Sequence, residues 1–138
     1  MLYAILVLLL IKKGAFVMIV NESAENYLET ILVLSHRLPV VRSIDVAVEL
    51  DFKKSSVSVA MKHLRENNYI VVSDSGFITL TETGKKIAES VYERHTLFSS
   101  WLIQLGVDPK IAAEDACRIE HVLSSESFEA IKTYIRNN

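Results

Sequence analysis

The chain has 138 residues, half of them hydrophobic, and a formal net charge of −2. That size suits one compact domain or two small lobes, and the apolar fraction can pack a core without staples. A single cysteine excludes an internal disulfide and points to a reducing cytoplasm, while the charge excludes a global pull toward nucleic acid, so any such binding needs a local patch.

Leu2 to Ile11 is almost entirely apolar and is followed by Lys12-Lys13-Gly14 and a second apolar stretch, Ala15 to Val20. The first run is too short to span a bilayer, which takes roughly 20 apolar residues. A secretory signal would carry its positive charges ahead of the apolar run, not after it. The codons of Lys13-Gly14-Ala15 can contain a ribosome-binding sequence at suitable spacing before Met18. Residues 1–20 are therefore expected to be an apolar extension, with Met18 as the biological start and residues 1–17 an upstream translation.

Asn21 or Ser23 can cap a first helix whose opening turn carries Glu22 and Glu25, as a helix N-terminus favours. Ala24, Tyr27, Leu28, Ile31, Leu32 and Leu34 make its apolar stripe, and Pro39 ends it. Ser43 is expected to cap a second helix, and Ser55 or Ser56 to open a third, with Val57, Val59, Ala60, Met61 and Leu64 inward. Tyr69–Ser73 and Phe77–Leu80 read as strands joined by the tight turn Asp74-Ser75-Gly76. Thr81 starts a long helix that runs to about Leu105, where Gly106 stops it. Asp108 caps the next helix with Pro109 at its first position, and Ser124 or Ser125 caps a last one. The predicted fold is mainly α with a small β-hairpin: a winged helix-turn-helix over 21–80, then a helical domain over 81–138.

Two stretches carry chemistry. In Asp115-Ala-Cys-Arg-Ile-Glu-His121, helical spacing puts Cys117, Glu120 and His121 on one face. A thiolate, a carboxylate and an imidazole converging on one patch suit a transition-metal ion. The bland alternative is a small core cysteine beside two solvated side chains. The second stretch is Lys53 to Arg65, read as a recognition helix. Lys53, Lys54, Ser55, Ser56, Ser58, Lys62 and Arg65 are its exposed positions, and Arg42 adds a cation before it. Serines at a helix start reach phosphates and base edges, and basic ends straddle the backbone. From His36 to Arg65, six basic residues face three acidic ones, a local charge of about +3. Here the alternative is an ordinary solvated helix. The hairpin tip carries no Arg or Lys, so the wing is expected to add little affinity.

Three stretches resemble the diphtheria-toxin-repressor and manganese-transport-regulator family of metal-dependent regulators. Glu25-Asn-Tyr-Leu-Glu-Thr-Ile31 is similar to its first helix, Ser55-Ser-Val-Ser-Val with Lys62-His-Leu to its recognition helix, and Asp115 to Ser124 to its metal helix. The likeness covers about Glu22 to Ile135, and the chain stops at Asn138, which implies the short form without an SH3-like domain. The resemblance implies that Glu29, able to bridge two ions, and His95 join Cys117, Glu120 and His121 as ligands. Asn26 stands where relatives have Asp or Met, so its neutral amide would hold a second ion weakly. Ser99 and Ala113 stand where iron-type relatives place Glu and His, so their ancillary site is not reproduced. His36 and His63 are expected to be surface residues.

The resemblance further implies a cytoplasmic homodimer that grips double-stranded operator DNA when an ion, Mn²⁺ or alternatively Fe²⁺, ties the two lobes together. Membrane and small-molecule substrate have no place in that reading. The short architecture favours Mn²⁺, while the Cys117 thiolate favours softer ions by the Irving–Williams order. Trp101, Leu102, Phe128, Ile131 and Ile135 are expected to supply the dimer surface. The rivals are a winged-helix regulator indifferent to metal, a protein-interaction module using the apolar N-terminus, and a metal-dependent hydrolase. The last lacks HExxH, a nucleophile elbow or a phosphate loop.

Overall fold

The computed structural model describes residues 22–138. The apolar extension, the Met18 start and the Asn21 cap lie outside that range. Helix α1 spans 22–37, followed by α2 (Ser43–Leu50), α3 (Lys54–Glu66), β1 (Ile70–Val72), β2 (Ile78–Leu80), α4 (Glu82–Gln104), α5 (Pro109–Ile119) and α6 (Ser125–Asn137). The expected order is present, with small changes at the ends. Ser43 is the first residue of α2, not its cap: Arg42 is the cap, and its backbone N–H donates to the Asp45 carboxylate at 2.8 Å. α3 opens one residue before Ser55, with Lys53 ahead of it and no side chain capping it, and Val59, expected inward, is exposed because it lies on the flank beside the groove between α1 and α3. Asp108 and Ser124 cap α5 and α6 as expected.

α2 and α3 are joined through Asp51, which takes a left-handed conformation (φ 53°) and lets Phe52 N–H donate back to Ala47. The strands pair antiparallel, Ile70 with Leu80 and Val72 with Ile78. Ile78 N–H also donates to the Val41 carbonyl at 2.8 Å, which ties the hairpin to the α1–α2 connection.

The described residues bury two separate apolar clusters. One unites α1, α2, α3 and the hairpin through Leu28, Ile31, Val46, Val57, Met61 and Ile70. The other joins α4, α5 and α6 through Phe98, Ala116 and Phe128, with Trp101 and Ile131 packed against it. Phe128 is thus spent inside its own lobe and is not available for a dimer surface. The large apolar side chains exposed there are Ile103, Leu105, Ile111, Val122 and Tyr134.

α4 belongs to both clusters: Ala88 packs into the first and Phe98 into the second. With 23 residues it is about 35 Å long at the helical rise, enough to link two lobes as one rod. Its start is anchored to the hairpin. The Thr81 hydroxyl donates to Asn68 O at 2.7 Å and accepts from Gly84 N–H, while Thr81 N–H donates to Tyr69 O. Gly84 lies against Tyr69 so closely that a Cβ would sit 2.0 Å from its carbonyl oxygen. Gly84→Ala should therefore push α4 off the hairpin and cost about 3 kcal/mol, a drop of roughly 10 °C in melting temperature by circular dichroism. An unchanged melting temperature would contradict this packing.

Candidate metal centre and nucleic-acid face

The helical motif stretch does not end as its periodicity suggests. α5 stops at Ile119, and Glu120, still in helical conformation, caps it, with His121 in the turn just beyond. Arg94, reaching from α4, holds that turn. Its Nη1 donates to the Glu120 carbonyl at 3.1 Å and to the Leu123 carbonyl at 2.7 Å. Its guanidinium also lies over the Phe128 ring, 5.1 Å from the centroid. A cation thereby satisfies carbonyls that a helix end leaves open, and His95, the next residue, is brought to the same place.

Two groups of donors gather here, each with ligand atoms within 4.8 Å of one another: Cys117, Glu120 and His121, and Glu29, His95 and Glu120. Glu29 comes from α1, His95 from α4, and the rest from α5 and its turn. The residue common to both groups is Glu120. His95 Nδ1 lies 2.9 Å from Glu120 Oε2, and His121 Nε2 lies 3.1 Å from Glu120 Oε1. The second approach is close but poorly aligned for a hydrogen bond, so Oε1 is a buried oxygen without a partner. The Glu120 side chain is 0% exposed and that of His121 2%. Asn26 is half-buried one turn before Thr30, whose hydroxyl donates to the Asn26 backbone carbonyl at 2.8 Å. His36 and His63 are exposed.

Glu25, which reads from sequence as a helix-start acid, is also part of this site. Its Oε2 is 2.8 Å from His121 Nδ1. The available sequence signal is its spacing, one turn before Glu29 on the same helix face.

Burial and the neighbouring Glu120 carboxylate push Glu29 up to about 8. Burial alone would lower His121, but its close contacts with Cys117, Glu120 and Glu25 outweigh it and raise the imidazole to about 11. His95 is raised, chiefly by its bond to Glu120. Burial works to raise Glu120, yet its close contacts with His121, His95 and Glu29 leave it lowered. Protons thus bind these carboxylates and imidazoles together in the metal-free protein. The donors fit a divalent ion. Glu120 Oε1 is buried and unpartnered, hard and borderline ligands converge on it, and the cluster needs positive charge at its centre.

On the outer surface, Ser55, Ser58, Lys62 and Arg65 share one exposed face of α3, with Lys53 and Lys54 at its start. Ser56 turns toward the groove between α1 and α3, beside Val59 and His63. Lys62 pairs only loosely with Glu66, at 3.9 Å, and both are exposed. Arg42 stacks on Phe77 at the base of the wing, 4.8 Å from the ring centroid. The wing's own tip lacks a cation, but the start of α2 supplies one to its base.

The family model described as the iron dependent repressor N-terminal DNA binding domain matches residues 20–76, and that of the iron dependent repressor metal binding and dimerisation domain matches 81–138. An HTH-type transcriptional regulator of Methanocaldococcus jannaschii is 33% identical over 83% of this chain and 94% of its own length. The transcriptional regulator MntR of Escherichia coli is 30% identical over 86% of this chain and 76% of its own. Among solved structures, the manganese regulator SloR superposes with a TM-score of 0.74 at 24% identity, over 83% of this chain and 54% of that one. A manganese-dependent transcriptional repressor in complex with manganese does so with a TM-score of 0.72 at 25% identity, over 80% and 51%. The chain therefore spans about half the length of these solved proteins.

The raised groups set a pH dependence. Glu29 contributes stability that is complete below its ordinary 4.5 and is lost as pH rises through about 8. For His121 the contribution is complete below 6.5 and lost as pH rises toward about 11. Both act in one direction, while the lowered Glu120 loses its contribution only as pH falls below 4.5. The melting temperature of metal-free protein should therefore decline steadily from about pH 5 to pH 8.5. Saturating Mn²⁺ should flatten that decline, because cation charge replaces the protons. Calorimetry that finds the metal-free protein most stable at pH 8.5 would contradict the assignment.

Proposed function

This chain belongs to the iron-dependent repressor family of metal-dependent transcriptional regulators, and we propose that it acts as a homodimer that binds double-stranded operator DNA when loaded with Mn²⁺, or alternatively Fe²⁺. The observation that carries this is the position of the buried donor cluster. It lies between two apolar cores, with Glu29 on the DNA-binding side and His95, Cys117, Glu120 and His121 on the other. We divide the chain accordingly into a winged helix-turn-helix over 21–80 and a metal-binding, dimerising part over 81–138.

A bound divalent cation supplies charge neutralisation and simultaneous coordination by donors from both lobes. Glu29 ties α1 to the centre. Glu120 and His121 tie the α5 turn, and His95 ties the α4 rod. Asn26, one turn before Thr30, adds a neutral oxygen donor for a second ion. Fixing α1 against α4 fixes where each α3 stands relative to its dimer mate. DNA half-sites one helical turn apart, roughly 34 Å, require that placement. A coupling of about 1–3 kcal/mol per ion is sufficient.

Ser55 and Ser58 at the start of α3 read bases and phosphates, while Lys53, Lys54, Lys62, Arg65 and Arg42 hold the backbone. Ile103, Leu105 and Ile111, with Trp101 and Leu102, provide the apolar face for dimerisation. Mn²⁺ is put first because carboxylates and imidazoles dominate the donors and the E. coli relative is MntR. Fe²⁺ is second because of the Cys117 thiolate. A centre whose donors come from both lobes argues for a switch over a hydrolase, which needs an open coordination position for substrate. A cytoplasmic setting keeps Cys117 reduced; among the described residues no helix is long and apolar enough to cross a membrane.

The test is fluorescence anisotropy on duplexes selected from a random library, with Mn²⁺ and with chelator. Mn²⁺ should tighten binding by about 10-fold or more, and equal affinity in both buffers would overturn the proposal. His121→Ala should abolish the metal response while preserving helical content. Lys62→Ala should weaken binding to all duplexes alike and lower the salt slope by about one. A change in sequence preference would instead make Lys62 a base-reading residue.

A further inference from the structure

Glu25 stands outside the donor groups, yet it makes a close contact with one of the donors across 96 residues of sequence. Its Oε2 lies 2.8 Å from His121 Nδ1. An ionised carboxylate only accepts, so the ring nitrogen facing it carries a hydrogen. Nδ1–H is thereby committed to Glu25, and Nε2 points to Glu120 Oε1 at 3.1 Å, into the cluster. The His121 side chain is 2% exposed while Glu25 is 31% exposed, so the acid reaches inward from the rim to a ring that water does not orient. Glu25 and Glu29 lie one turn apart on α1, so the same face of that helix supplies both a donor and the partner of another donor.

We propose that Glu25 is a positioning residue that holds His121 with Nδ1–H directed at α1 and Nε2 presented to the ion, so that α1 of the DNA-binding lobe is coupled to the centre twice, through Glu29 directly and through Glu25 by way of the imidazole. This rests on reading the cluster as a metal centre. Outer carboxylates on ligating imidazoles fix ring orientation and raise basicity, and their loss costs about 10–100-fold in metal affinity. The second link also explains why so few donors on α1 are enough: when α1 shifts, Glu29 moves relative to Glu120 and Glu25 moves relative to His121 together.

The experiment uses the full chain with Glu25→Ala and Glu25→Gln. Mn²⁺ binding is measured by the electron paramagnetic resonance of free ion. The imidazole is read by ¹⁵N–¹H NMR in protein loaded with Zn²⁺ as a diamagnetic probe. Wild type should show a slowly exchanging His121 Nδ1–H. Glu25→Ala should lose that signal and weaken Mn²⁺ by about 10–100-fold. Glu25→Gln, whose amide oxygen still accepts from Nδ1–H, should keep the signal and recover most of the affinity. Wild-type affinity in Glu25→Ala sinks this proposal alone, as does equal loss in both variants with the Nδ1–H signal intact. A wild-type chain that binds no Mn²⁺ sinks the metal-centre reading and this proposal with it.

Discussion

The carboxylate of Glu120 is fully buried where two apolar cores meet, and the rest of the molecule is arranged around keeping it there. A charge in that position costs several kcal/mol unless compensated. His95 and His121 approach its two oxygens, and Glu29 completes the set. Each compensating group arrives on a different element, so the burial of one charge becomes a condition on how α1, α4 and the α5 turn are placed. An apolar seam would tolerate sliding, whereas this cluster accepts few arrangements. It also leaves Oε1 without an aligned partner, and that unmet demand makes positive charge at the centre favourable.

Rigidity around the cluster comes from ordinary means. α4 passes through both cores, so its direction is set at each end by packing. Near its start, the contact between Gly84 and the Tyr69 carbonyl leaves no room for a side chain. In its middle, Arg94 clamps the carbonyls of the α5 turn and stacks on Phe128. The residue beside that clamp is His95, so the same turn of helix fixes the frame and delivers a ligand.

The electrostatics of the chain divide by location. The acidic and imidazole groups meet at the buried seam, while lysines, arginines and serines line the outer face of α3 and the base of the wing. A net charge of −2 hides that separation. The local excess of cations between His36 and Arg65 is the kind of patch that attracts polyanions.

Much of this architecture is legible in the sequence. The 3.6-residue periodicity, the caps at Thr81, Asp108 and Ser124, and the turn at Asp74–Gly76 set the element order, because they are local signals. The grouping of Cys117, Glu120 and His121 is legible for the same reason, since three or four residues along a helix fall on one face. The partners of those residues are not. Glu25 and His121 are far apart in the chain, and Arg94 gives no sign in sequence that it will clamp a turn near Leu123. Periodicity says that Phe128 lies on an apolar face but not which surface that face covers, and packing turns it inward. The meeting of His95 with Glu120 is decided only in three dimensions, where α4 packs along α5 and brings residues 25 apart in the chain within 2.9 Å.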